Sequence, residues 1–121
     1  MMNKEIIAID FDGTLVTDEY PDIGSINQDL IDFIKNNRDK YIFILNTLRK
    51  GVYLEQAISF LKDVCEVEFD YINENTDELI LKYGNSRKIA ATYYIDDRNL
   101  TLSNWKQVLL NQNNIQEGVN K

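Results

Sequence analysis

Short apolar runs alternate with longer amphipathic stretches along this chain, and few architectures satisfy that order. The run Tyr41-Ile42-Phe43-Ile44-Leu45 is apolar at every position, the pattern of a strand buried on both faces. Strand-length runs separated by helical periodicity predict βαβ units around a parallel sheet. Strands are expected over 5–10, 41–45, 68–72 and 91–95. Ser25 and Gln28 have the S-x-x-Q spacing of a capping box, which predicts a helix with Ile26, Leu30, Ile31 and Ile34 on one face. A second helix is expected over 53–62, with Leu54, Ala57, Ile58 and Leu61 as its core stripe. A short helix over 77–83, ending at Gly84, and a last one over 103–110, with Trp105, Val108 and Leu109 packing inward, complete the pattern. The expected fold is therefore α/β, a three-layer Rossmann-like parallel sheet with helices on both faces. Its 121 residues are read as one domain, 1–121.

Composition removes several kinds of chemistry. No histidine is present, which excludes a Ser-His-Asp or Cys-His mechanism and a histidine-ligated zinc. Acid–base work then falls to carboxylates, and any metal must be held mainly by oxygen. The one cysteine, Cys65, cannot form an internal disulfide, and it reads as a small, partly buried residue near a helix end. The net charge of -7 opposes long-range capture of nucleic acid or of an anionic membrane. The apolar run over 6–9 is too short for a signal-peptide core, and no stretch has the length of a membrane span, so the expected location is the cytoplasm.

The chemistry gathers where strands end. In Ile9-Asp10-Phe11-Asp12-Gly13-Thr14, residues two apart in an extended chain point to the same side, so Asp10 and Asp12 can share a site. Gly13 permits a sharp turn and close backbone approach. The same letters also suit a solvated turn. The second strand runs into Asn46-Thr47-Leu48-Arg49, which offers a hydroxyl and a guanidinium; Thr47 also suits a strand end or a cap. The fourth strand runs into Ile95-Asp96-Asp97-Arg98, two adjacent carboxylates beside a cation that could serve as an ordinary ion pair. Lys88, in Ser86-Arg87-Lys88, lies just before that strand and reads equally as a surface lysine; Lys82 is the alternative.

Together these segments resemble the haloacid dehalogenase (HAD) superfamily. Its four motifs are matched in order by Asp10-x-Asp12-Gly13-Thr14, Thr47, Lys88 and Asp96-Asp97, over nearly the whole span from Ile6 to Arg98. The resemblance implies a sheet in order 3-2-1-4 and a magnesium-dependent phosphohydrolase. Asp10 would attack phosphorus and form an aspartyl-phosphate; Asp12 would protonate the leaving oxygen and then activate water. Mg2+ would be held by Asp10, the backbone carbonyl of Asp12 and Asp96, with Asp97 in support. Thr47 would bond a phosphoryl oxygen, and Lys88 would pair with nucleophile and phosphate. Asp12 favours phosphate esters, because the dehalogenase members lack this second aspartate. Gly13, Thr14, Arg49 and Arg98 are expected around the substrate, and Arg49, Lys50, Arg87 and Arg98 could form a cationic rim.

HAD enzymes often carry a cap domain after the first motif or after the third strand. Here the intervals 15–24 and 73–87 are too short for one, so the site is expected to be open. An open site suits a large, even macromolecular, phosphorylated substrate, a lid lent by a partner subunit in a homo-oligomer, or low selectivity. The D-D-R ending also resembles 5'(3')-deoxyribonucleotidases, which act on nucleoside monophosphates but carry a cap. A signalling receiver domain has its acidic pair first and its phosphorylated aspartate after the third strand, an order this chain does not follow. A catalytically weak phosphate- or metal-binding module is the remaining alternative.

Overall fold

A computed structural model describes residues 4–74 and 91–96 of the protein. Four strands, β1 (Glu5–Ile9), β2 (Tyr41–Leu45), β3 (Tyr71–Ile72) and β4 (Tyr93–Ile95), form one sheet in the order β3-β2-β1-β4. All three pairings are parallel: Ile9 lies opposite Leu45 on one side and Ile95 on the other, and Leu45 lies opposite Ile72. The α/β class and the strand order agree with the sequence.

Two helices connect the first three strands, α1 (Gln28–Asn36) and α2 (Gly51–Asp63). The chain steps from β1 to β2 to β3 in one direction, so two right-handed crossovers place both helices on the same face. There Ile7, Ile9, Phe43, Leu45 and Ile95 pack with Leu30, Ile31 and Ile34 of α1 and Ala57 and Leu61 of α2. Ala8 and Ile44 are buried on the opposite face, with Ile6, Tyr71, Ala91 and Tyr94 half-buried around them. Alternating burial of β2 on both faces is what its unbroken apolar run requires. The helices expected over 77–83 and 103–110 lie outside the described residues.

Two sequence expectations are corrected. Ser25 does not cap α1: its N–H donates to Thr17 Oγ1 (2.9 Å) and its carbonyl accepts from Thr17 N–H (2.9 Å), so it belongs to a loop ladder and the helix starts three residues later. Ile26 accordingly lies outside the helix and is exposed. The third strand is shorter than expected, because Asp70 is already engaged: both its N–H and its carboxylate bond the backbone of Phe43. No helix among the described residues is long and apolar enough to cross a membrane.

Candidate active site

The order β3-β2-β1-β4 creates a topological switch point at β1, where the chain has moved away on one side and returns on the other. Open α/β sheets bind ligands in the crevice outside the carboxyl ends of strands at such a point. Each described strand here runs into a polar residue at that edge: Asp10 after β1, Asn46 after β2, Asn73 after β3 and Asp96 after β4. Asp10 N–H donates to the Ile95 carbonyl (3.0 Å) and Asn46 N–H to the Ile9 carbonyl (2.8 Å). The ladder thus extends one residue past the strands and sets Asp10 between the β2 and β4 exits.

A cleft of about 710 Å3 opens there, lined among the described residues by Asp10, Asp12, Asp18, Tyr20, Asn46, Thr47, Leu48, Arg49 and Asp96. The expected quartet is brought together as far as it is described: Asp10, Asp12, Thr47 and Asp96 share this one cleft. Lys88, Lys82, Asp97, Arg98 and Arg87 lie outside the described residues. The Phe11 N–H donates to Asp10 Oδ1 (2.8 Å), which orients the carboxylate. Thr47 is held by two bonds that leave its hydroxyl proton unused: its N–H donates to Asn73 Oδ1 (2.8 Å), and its Oγ1 accepts from Arg49 N–H (3.1 Å). Asn73 reaches back in this way from a left-handed conformation, φ 55°.

Arg49 is not the exposed rim cation expected from sequence. Its side chain is 1% exposed, and its Nε and Nη2 donate to Asp12 Oδ2 (2.8 Å) and Oδ1 (2.7 Å). The same guanidinium donates to the carbonyls of Pro21 (3.1 Å) and Asp22 (2.9 Å) and lies 5.0 Å from the ring centres of both Phe11 and Tyr20. The physical reason is charge compensation: a planar fork matches a carboxylate with two parallel bonds, and two aromatic faces accept the cation. Those bonds to Asp12 raise the Arg49 pKa further, against the opposing effect of burial.

Thr14, expected around the substrate, is 1% exposed and forms no part of the cleft wall; its carbonyl accepts from the Asn27 side chain (3.3 Å), which makes it a loop anchor. Gly13 does what a turn glycine does, with φ 82° and its N–H donated to the Val16 carbonyl (2.8 Å), and it too lies off the wall. Sequence reasoning missed Asp18 and Tyr20, which come from the loop after β1 and carried no local signal. Cys65 is buried just beyond α2, where burial pushes its thiol pKa up, and it lies away from the cleft.

Among the described residues the cleft wall holds four carboxylates, of Asp10, Asp12, Asp18 and Asp96, and one guanidinium already engaged by Asp12. No described group of three or more His, Cys, Asp or Glu side chains is spaced to hold a metal ion. In the ligand set that the HAD resemblance implies, Asp12 would contribute its backbone carbonyl beside Asp10 and Asp96, while Arg49 engages its carboxylate. These are all hard oxygen donors at adjacent strand exits, a set that fits Mg2+.

No family model matches the chain, and no curated protein does. Among solved structures, it is similar to a conserved protein from Bacteroides thetaiotaomicron, with 36% sequence identity and a TM-score of 0.69, covering 81% of this chain and 79% of that one. It is also similar in fold to a chain of the Pnkp1/Rnl/Hen1 RNA repair complex, at 22% identity and a TM-score of 0.53, covering 88% of this chain and 40% of that one. A chain from another Pnkp1/Rnl/Hen1 complex structure gives 21% identity and the same TM-score of 0.53, with 90% and 45% covered. This chain therefore spans less than half the length of either Pnkp1/Rnl/Hen1 match.

Proposed function

We propose that this chain, which belongs to one family with the conserved Bacteroides thetaiotaomicron protein, is a magnesium-dependent phosphohydrolase that works through an aspartyl-phosphate on Asp10. The observation that carries this reading is the convergence of Asp10, Asp12, Thr47 and Asp96 at the switch point of the sheet. It is the arrangement that the HAD resemblance anticipates from motifs far apart in sequence. The acidity of the cleft supports the same reading. A carboxylate and a phosphate oxygen about 4 Å apart repel by about 4 kcal/mol per unit charge at an effective dielectric of 20. A phosphate ester cannot approach Asp10 without a cation. Asp10, the Asp12 carbonyl and Asp96, with Asp97 in support, would hold Mg2+, which supplies that positive charge when bound.

The chain's own groups account for the rest. An Asp10 oxygen forms a bond to phosphorus as the bond to the leaving oxygen breaks; the leaving oxygen keeps that electron pair and takes a proton from Asp12. Water then attacks phosphorus, gives a proton back to Asp12, and the bond between Asp10 and phosphorus breaks to release inorganic phosphate. Asp12 can serve both steps while Arg49 holds it, because each carboxylate oxygen has a second lone pair beyond the one facing the guanidinium. Its side chain is 18% exposed, so water and a leaving group can reach it. Thr47 is set to donate its hydroxyl proton to a phosphoryl oxygen, and Lys88 is assigned to the same group by its motif position.

Turnover of nitrophenyl phosphate, with and without Mg2+, tests this. The wild-type protein is expected to be active only with the metal, and Asp10→Asn to lose at least about 10³-fold in kcat with its melting temperature held or raised. Metal-independent turnover, or substantial activity in Asp10→Asn, would sink the proposal.

A further inference from the structure

A second groove, of about 740 Å3, runs beside the cleft between the loop at Pro21, Asp22 and Ile23 and the outer face of α2. Its helix side extends from Val52 to Val64, about 18 Å at the helical rise, which matches about five residues of extended chain. Val52 and Val64 are exposed well beyond half, at 58% and 59%, and Tyr53 and Phe60 lie between them on the groove wall. The charge along it has one sign. Asp22, Glu55 and Asp63 line the groove, and no lysine or arginine does among the described residues.

The groove adjoins the cleft. Tyr53 of the groove meets Tyr20 of the cleft edge-on, with ring centres 5.6 Å apart. Arg49 ties Asp12 in the cleft to the carbonyls of Pro21 and Asp22 in the groove wall. A chain with its phosphate at Asp10 would have to cross the Tyr20–Tyr53 pair to reach the face of α2.

We infer, resting on the phosphohydrolase reading above, that the substrate is a phosphorylated polypeptide whose flanking segment, apolar with interspersed lysine or arginine, lies in this groove. The length of the groove suits a polymer better than a small metabolite. Val52, Tyr53, Phe60 and Val64 on the groove wall would pair with apolar side chains of the occupant. The acidic rim complements basic residues and repels a polynucleotide backbone. Among the described residues, the interval between β1 and α1 holds no cap-sized insertion.

Four substrates test this: a phosphoserine peptide with valine and lysine flanks, the same peptide with glutamate for lysine, a phosphate-ended oligonucleotide, and nitrophenyl phosphate. Each is assayed with wild-type protein and with a Glu55→Lys/Asp63→Lys double variant, both positions being exposed on α2 and away from the cleft. Binding of the unphosphorylated peptides is followed in parallel by fluorescence anisotropy. The lysine peptide should exceed the glutamate peptide by roughly tenfold in kcat/KM and in affinity, the scale of a few rim charge contacts. The double variant should abolish or invert that preference and leave nitrophenyl phosphate unchanged. Equal handling of the two peptides, preference for the oligonucleotide, or an unaltered preference in the double variant overturns the inference. Loss of nitrophenyl phosphate turnover in wild-type protein would instead overturn the phosphohydrolase reading, and the binding arm would still decide the groove.

Discussion

Arg49 and Asp12 show how one buried pair serves fold and site together. The guanidinium joins the turn after β1, the turn after β2 and the carbonyls of Pro21 and Asp22 in a single set of bonds. Removing one member of a buried pair leaves the other desolvated without a partner, which costs about 3–5 kcal/mol. Arg49→Ala should fall toward the low end of that range, since Asp12 keeps some exposure to water. Urea unfolding should show it as a lower midpoint with an unchanged slope. A loss under about 1 kcal/mol, the range of an exposed pair, would mean the pairing is not the buried contact described here. The sequence indicated Asp10 and Asp12 through the two-residue period of an extended chain. It could not indicate the partner of Asp12, because 37 residues separate Asp12 from Arg49 and no local pattern spans that distance. Arginine after a strand reads as solvent-facing by default, and the Asp12 carboxylate, the Pro21 and Asp22 carbonyls and the rings of Phe11 and Tyr20 together reverse that reading.

At the scale of elements, β1 and β2 were legible from their short apolar runs and α2 from its helical period, and the start of α1 was not. The S-x-x-Q spacing at Ser25 is a true local signal that tertiary pairing with Thr17 overrides. Ser25→Ala should therefore change stability by less than about 0.5 kcal/mol, as at an ordinary surface position, where loss of a helix cap would cost about 1 kcal/mol. Gly24 next to it should behave oppositely. A Cβ there would collide with the carbonyl and hydroxyl oxygens of Thr17, and the collision with backbone cannot be relieved by a side-chain rotation. Gly24→Ala should lower the thermal midpoint and loosen the loop that carries Tyr20 into the cleft, raising KM more than it lowers kcat. Equal stability of the two variants would show that the Thr17–Ser25 ladder does not hold this loop. The third strand is shorter than the 68–72 expected from sequence, because the bonding of Asp70 to Phe43 leaves only Tyr71 and Ile72 in the strand.

Across the whole molecule, the sheet order is the one that the HAD resemblance implies, and the described helices occupy the face that crossover handedness dictates. What sequence could not give was the shape of the surface around the cleft, since the groove along α2 arises from the loop and helix lying side by side. Among the described residues, four of the chain's 20 Asp and Glu line the cleft. An all-oxygen set of this kind should distinguish cations. Mg2+ is expected to support turnover and Ca2+ to replace it poorly, because the larger ion takes more ligands and draws both oxygens of a carboxylate onto itself. Equal activity with the two ions would contradict that arrangement. The central claim is that Asp10 is phosphorylated during turnover, and mass spectrometry of acid-quenched Asp12→Asn protein tests it most directly. Nitrophenolate leaves without help from an acid, while hydrolysis of the intermediate loses a base worth about 10²–10⁴-fold. With Mg2+ and nitrophenyl phosphate, a phosphoryl group is expected to accumulate on the peptide containing Asp10. Release of nitrophenol with no phosphoryl group on that peptide, or with one on another residue, would contradict the account.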